Sequence, residues 1–356
     1  MPPSTPALLV LLALALSAHP TRAGGAGTTP LIRTYQGSSF FDRWEYFGNY
    51  DNTTEGDAFF ANQSVATASS VPLTYTTSTN TSVIRVDNTS TVAYNDKRNT
   101  IKILSTDYYA VGSVWVLDAV HPEGGEIDTL EGVNNQVSSQ MALHTEDGCS
   151  AANSTSAAYS GILNDTSCYY ESNSNSGCGI TVSDPKSYGA DFASSGGGVF
   201  VTELAESGIS IWFFERANVP SAVTNASDGI DTRSLGTPAG YWGGSSCTID
   251  KFFTEQRLVF DITLCGSWAG AADILTTTGC PALVGSDTCY TTYVLNASNY
   301  DTAYFEINSL KVYSNSSSST SSDAVSGASV RAPVGSTSVG MLMALTTVLA
   351  GLLAVV

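Results

Sequence analysis

From residue 24 to 313 the chain repeats one pattern: a short run of β-branched and aromatic side chains, then a cluster of Gly, Ser, Thr, Asn or Asp. Such runs at 82–86, 99–104, 112–120, 198–204, 209–215, 258–265 and 303–313 predict strands, because branched and aromatic side chains fit a pleated, half-buried surface that turn formers then interrupt. Several alternate, as in Ile209-Ser210-Ile211-Trp212-Phe213. No stretch of comparable length carries a helical stripe except at the two ends of the chain, and no internal repeat is present. Many short strands predict an all-β protein, a many-stranded antiparallel sandwich. Segment 314–338 opens Ser314-Asn315-Ser316-Ser317-Ser318-Ser319; it is too polar to build a core and is expected to be a glycosylated stalk.

The two ends read as processing signals. Residues 1–23 join an apolar stretch from Leu8 to Leu16, too short to span a bilayer, to the small-residue cleavage site Thr21-Arg22-Ala23, and so predict a secretory signal peptide. Residues 339–356 are apolar and uncharged, and no basic cluster follows them. Behind the small residues Ser326-Gly327-Ala328-Ser329 and a polar spacer, they are expected to be a glycolipid (GPI) anchor signal that is removed. The mature protein would then sit on the outer side of the plasma membrane or in a cell wall. Asn-x-Ser/Thr sequons at Asn52, Asn62, Asn80, Asn88, Asn153, Asn164, Asn225, Asn296 and Asn315 fit that route.

Composition narrows the chemistry. Acidic residues outnumber basic ones 32 to 14 for a net charge of −18, so the surface repels polyphosphates and nucleic acid is not an expected partner. A neutral polymer is compatible with that surface, and the acidity also suits plain solubility at an acidic working pH. Cys149, Cys168, Cys178, Cys247, Cys265, Cys280 and Cys289 lack the paired spacing of a zinc site, so disulfides are expected in the oxidising compartment, with one cysteine left over. His121 and His144 are the only histidines beyond the signal, which removes a histidine-rich metal site. No nucleophile elbow or phosphate-cradling loop is present, so neither metal nor cofactor is expected.

The candidate chemistry lies in Glu126-Ile127-Asp128-Thr129-Leu130-Glu131, between Gly124-Gly125 and Gly132. On a regular strand residues 126 and 128 share a face and 131 points away; one bulged residue between them would return Glu131 to that face. Three carboxylates would then face one cleft. A retaining glycosidase needs such a set: one carboxylate attacks the anomeric carbon and a second, about 5 to 5.5 Å away, protonates the leaving oxygen and later activates water. An Asp between the two Glu residues can hold their pKa values apart. The acids alternate with Ile127 and Leu130 rather than with the Gly and Asn of a calcium loop.

Gly125 to Asn134, followed by Gln140-Met141-Ala142-Leu143-His144-Thr145, resembles glycoside hydrolase family 16, specifically the fungal laminarinase-type endo-β-1,3(4)-glucanases. The resemblance covers nearly all of 40–313. It includes Ser39-Phe40-Phe41-Asp42-Arg43-Trp44, Lys97-Arg98-Asn99, Ile211-Trp212-Phe213-Phe214-Glu215-Arg216, Cys265-Gly266-Ser267-Trp268-Ala269-Gly270 and Glu306 through Tyr313. It implies a catalytic domain at 24–313, a β-jelly-roll with a concave glycan-binding cleft, acting as a monomer on a β-glucan polysaccharide. Glu126 would be the nucleophile, Glu131 the acid and base, and Asp128 their electrostatic assistant. Arg98, His144 and Trp268 match positions that line the family's cleft, where an indole face meets a sugar ring and Arg or His donates to hydroxyls.

Two departures bear on function. Phe59-Phe60 stand where the family usually carries Asn-Tyr, removing a polar contact to the glycan. Between His121 and Pro122 the family carries roughly twenty more residues, enough for a strand and its turns, with a Cys and several Trp. Their absence accounts for the odd cysteine. It also leaves glucan binding without turnover as an alternative to endo-hydrolysis, and the expected anchor leaves glucan transglycosylation during wall remodelling as another.

Overall fold

The computed structural model describes residues 27–117, 125–151 and 158–316. The signal segment, the His121-Pro122 junction, the Asn153 sequon, the stalk from residue 317 and the apolar tail lie outside the described residues. In chain order the strands are β1 (Thr29–Tyr35), β2 (Trp44–Tyr46), β3 (Ala58–Phe60), β4 (Thr74–Thr76), β5 (Ser82–Arg85), β6 (Arg98–Thr100), β7 (Lys102–Ser105), β8 (Ser113–Val116), β9 (Glu126–Glu131) and β10 (Gln140–His144). They continue with β11 (Ile162–Leu163), β12 (Ile180–Thr181), β13 (Gly198–Ala205), β14 (Gly208–Glu215), β15 (Gly229–Ile230), β16 (Gly240–Gly243), β17 (Val259–Asp261), β18 (Tyr304–Ile307) and β19 (Leu310–Ser314). The longest α-helices among the described residues, Gly189–Ser194 and Ala272–Thr277, have 6 residues each.

One sheet has the order β15-β1-β19-β8-β13-β14-β16 and a second the order β11-β12-β10-β9; β17-β7-β2, β18-β5-β4 and β3-β6 are smaller. Of the named pairings only β3 with β6 is parallel. Phe200 and Leu204 of β13 and Ile209 and Ile211 of β14 form one core with Ile127 of β9, Met141 and Leu143 of β10, Ile103 of β7 and Phe260 of β17. The result is the β-jelly-roll sandwich expected from the sequence. Thr129 of β9 and Thr202 of β13 share a hydrogen bond of 2.7 Å within that core, which fixes the acid-bearing strand over the large sheet.

Two runs that read as single strands are pairs of strands. The chain leaves β6, which pairs with β3, and enters β7, which pairs with β17 and β2, by turning at the fully buried Ile101. Likewise β18 pairs with β5 while β19 pairs with β1 and β8, so 303–313 breaks between them as it changes sheets. β14 is covered on both faces. Ile209 and Ile211 enter the main core, whereas Trp212 packs under Ala226, Ile230 and Leu235 and donates its indole N–H to the Gly236 carbonyl at 3.0 Å.

Three disulfides join Cys149 to Cys247, Cys168 to Cys178 and Cys265 to Cys289, and Cys280 is the unpaired cysteine.

Candidate active site

β9 supplies the acids and β10 aligns them. Glu126 lies opposite His144, Ile127 opposite Leu143 and Asp128 opposite Ala142, but Glu131 lies opposite Gln140. Three residues of β9 therefore span two of β10, a bulge of one residue between Asp128 and Glu131. Residues 140, 142 and 144 occupy one face of β10, so their partners Glu126, Asp128 and Glu131 share that face. Ile127 takes the opposite face, fills the core and holds the strand in this register. Among the described residues β9 pairs with β10 alone, as the outermost strand of its sheet.

The electrostatics follow from crowding. Burial, and then the Asp128 charge, push Glu131 up to about 8; the same two causes raise Glu126 well above the carboxylate range. Crowding and burial thus work against two negative charges on the pair at once. Partly buried Asp261 of β17 is a further acid in reach, itself raised by desolvation despite the Lys102 ammonium 3.6 Å from its Oδ2. Beyond Glu131, the Tyr188 hydroxyl donates to the Gly132 carbonyl at 3.0 Å, and burial with the nearby Glu131 pushes that phenol up to about 12. A Cβ on Gly132 would stand 2.7 Å from the Tyr188 ring, so only glycine lets the ring lie flat there.

His144 closes the cluster. Its Nε2 lies 3.2 Å from Asp128 Oδ2, and its Nδ1 lies 2.9 Å from the side-chain oxygen of Asn175. The buried Asp128 Oδ2 accepts no well-formed hydrogen bond, so the contact with Nε2 is one of charge and favours the imidazolium. Burial opposes the charge, yet the Asp128 carboxylate and the neighbouring Glu126 push the histidine up to about 10. The cluster thus sets one buried cation against several carboxyl groups.

These shifts fix the sign of the pH dependence of stability. Glu131 and His144 bind their protons more tightly folded than unfolded. Their contribution is complete below the ordinary values of 4.5 and 6.5 and is lost as pH rises through about 8 and about 10. Asp107 works in the other direction. Burial opposes its ionisation, but hydrogen bonds from Arg43 and Tyr35 and the charges of Arg33 and Arg43 hold it below the ordinary 3.8, so its contribution is lost in acid. Thermal unfolding scans are expected to give the highest Tm at roughly pH 4 to 5 and a steady decline towards pH 10. A Tm that rises from pH 5 to 9 would contradict the cluster's electrostatics.

The remaining sequence candidates separate. Trp268, half-buried, stands on the one-turn helix Gly266–Ala269. Asn134, in the loop leaving β9, donates to the Ala269 carbonyl at 3.0 Å, so the helix carrying Trp268 adjoins the end of the acid strand. Arg98 is a correction. It is 0% exposed, and four of its five N–H groups donate to the carbonyls of Val294, Asp87, Ser90 and Leu295 at 2.7 to 3.1 Å, so it lies inside the fold rather than on a cleft. Sequence reasoning missed Gln140, which hydrogen-bonds Glu131, together with Asn175, Tyr188 and Asp261. For Gln140 a signal existed: it alternates with Ala142 and His144. A cavity of about 310 Å³ lies beside the Cys265–Cys289 disulfide, lined by Glu55, Asp57, Ser267 and Tyr290 among others; none of the three β9 acids borders it.

Comparison with known proteins agrees with this geometry. The family model described as the XgeA-like, catalytic GH16 domain matches residues 44–122 and 119–313, two segments that meet at 119–122. A probable glycosidase of Schizosaccharomyces pombe is 33% identical over 308 residues, 81% of this chain and 70% of that protein. A probable endo-1,3(4)-β-glucanase of Aspergillus fumigatus is 34% identical over 336 residues, 88% of this chain but 50% of its own length. The endo-1,3(4)-β-glucanase xgeA of Emericella nidulans is 30% identical over 325 residues, 85% of this chain and 50% of that protein. This chain thus spans about half the length of those two relatives. Among solved structures, laminarinase 16A of Phanerochaete chrysosporium, with 6-O-glucosyl-laminaritriose in its donor and acceptor sites, superposes with a TM-score of 0.73 at 31% identity, over 81% of this chain and 100% of that one. An elongating GH family 16 β-1,3-glucosyltransferase gives a TM-score of 0.70 at 31% identity, over 81% and 100%. With a bulged strand of three acids on a jelly-roll and a family match across most of its length, the chain belongs to glycoside hydrolase family 16.

Proposed function

We propose that this chain is a retaining endo-β-glucanase that cleaves β-1,3 or mixed β-1,3/1,4 glucan, secreted and held at the cell surface by a glycolipid anchor, and working as a monomer. The observation that carries the chemistry is the one-residue bulge that brings Glu131 onto the face of Glu126 and Asp128. Glu126 attacks the anomeric carbon while Glu131 gives its proton to the departing glycosidic oxygen, forming a glycosyl-enzyme ester. Glu131, now a carboxylate, takes a proton from water; the resulting attack on the anomeric carbon frees Glu126. The raised pKa of Glu131 supports its role as the proton carrier. Glu126 is raised too, by burial and the Asp128 charge, so it attacks only once it has given up its proton, a loss that the His144 charge beside it favours.

The test is stereochemical. Laminarin or mixed-linkage glucan incubated with the secreted chain should first release reducing ends of β configuration, read by proton NMR before mutarotation. Initial α products would overturn the retaining mechanism. Absence of products from both polymers would overturn hydrolysis and favour a glucan-binding wall protein. A second reading, glycan transfer, is favoured by the similarity to the elongating glucosyltransferase. Labelled laminari-oligosaccharide acceptors that grow longer would establish it.

A further inference from the structure

The loop closed by the Cys168–Cys178 disulfide touches the site in a way that substrate cleavage as described does not use. Both ends are tied to the residues flanking His144. Thr145 N–H donates to the Cys168 carbonyl at 2.7 Å and Tyr170 N–H to the Thr145 carbonyl at 3.0 Å, while Cys178 N–H donates to the Leu143 carbonyl at 3.1 Å. Between these anchors Asn173, Ser174 and Asn175 run in succession at positive φ, 49°, 57° and 59°. Three non-glycine residues in that region are uncommon and strained, and such strain persists where surrounding structure imposes it. The turn delivers the Asn175 side-chain oxygen to His144 Nδ1 at 2.9 Å. Gly177, also at positive φ, lies so close over the imidazole that a Cβ there would stand 2.8 Å from Cε1 and Nε2.

We infer that the Cys168–Cys178 loop is a cradle for His144, with Asn175 as the positioning residue: it accepts from Nδ1, fixes the plane of the ring, and aims Nε2 at Asp128 between the two glutamates. Asn175 touches no sugar in this scheme and acts only through His144. An acceptor at that reach is what holds the ring: it supports the imidazolium that faces Glu126, Asp128, Glu131 and Asp261. The disulfide spans only 10 positions, which keeps the cradle short and its ends fixed against Leu143 and Thr145.

The inference rests on the reading of Glu126, Asp128 and Glu131 as the reacting set, and its test separates the two. Asn175→Gly keeps the left-handed backbone at no steric cost and removes the acceptor. Asn175→Asp keeps an acceptor at the same reach and tolerates the same φ. With laminarin as substrate, Asn175→Gly is expected to lower kcat by roughly 10- to 100-fold at unchanged KM, as loss of an orienting partner does, and Asn175→Asp to recover most of that loss. The His144 ring signals, followed by NMR, should titrate near 10 in the wild type and lower in Asn175→Gly. Wild-type kcat in Asn175→Gly overturns the inference. So does an unmoved His144 midpoint, or an Asn175→Asp variant as impaired as Asn175→Gly. If the wild type cleaves no glucan, the functional reading fails. The NMR midpoint then decides alone: movement in Asn175→Gly with recovery in Asn175→Asp upholds the cradle, and no movement overturns it.

Discussion

Glu126→Gln is expected to lower glucan hydrolysis by roughly 10³-fold or more while leaving the protein folded, because an amide of the same shape cannot form the ester intermediate. The fold should gain from the change. Glu126 stands beside Asp128, Glu131 and Asp261 in a crowded site, and burial together with those charges raises its pKa well above the ordinary carboxylate value. A neutral side chain removes that repulsion, the usual exchange between stability and activity at a catalytic centre. Initial rates on laminarin, paired with a thermal scan, check both halves. A variant with unchanged Tm and wild-type turnover would remove Glu126 from the nucleophile's role. A variant that loses both activity and structure would contradict the electrostatic account instead.

The second large effect concerns Arg98. Arg98→Ala is expected to destabilise the fold by about 3 to 5 kcal/mol, the range for leaving buried partners of a charged group uncompensated. Its Nε bonds the Val294 carbonyl at 2.7 Å, Nη1 bonds the Asp87 and Ser90 carbonyls at 2.9 and 3.1 Å, and Nη2 bonds the Leu295 carbonyl at 3.1 Å. The guanidinium also sits 5.4 Å from the centre of the Tyr300 ring. The substitution strands the carbonyls of two separate segments and opens a cavity among them. Denaturant unfolding measures the loss, and KM for glucan in the folded fraction should stay within about twofold, since distant core changes leave cleft contacts intact. Raised KM at unchanged stability would restore Arg98 to the cleft.

Arg98 also shows where the sequence stopped being legible. Its charge marked it as a functional candidate, but what a charge contacts depends on chain segments far away; the Val294 carbonyl is 196 positions distant. Side-chain alternation carried the strands well where one strand stays in one sheet, as β13 and β14 do. It failed where the chain changes sheets inside a continuous apolar run, at Ile101 and between Ile307 and Leu310, because either sheet satisfies the same local pattern. The acids were legible for a different reason. A bulge was required to bring residues spaced 126, 128 and 131 onto one face, and register with β10 supplies it. Asn175 had no comparable signal. It lies in Glu171-Ser172-Asn173-Ser174-Asn175-Ser176-Gly177, a stretch indistinguishable from any polar turn until the disulfide brings it over His144.

The strand order of the large sheet has a consequence for how the molecule is made. β19 lies inside that sheet, between β1 and β8, although it is the last strand described along the chain. Strands from the first third of the sequence must therefore wait for residues 310–314 before their ladders close. Pairings over such separations are slow to form, since loop entropy is lost before contacts compensate it. During synthesis the acid-bearing strand emerges long before the sheet beneath it is complete. The site is consequently assembled late, on a sandwich that only the final strand can lock.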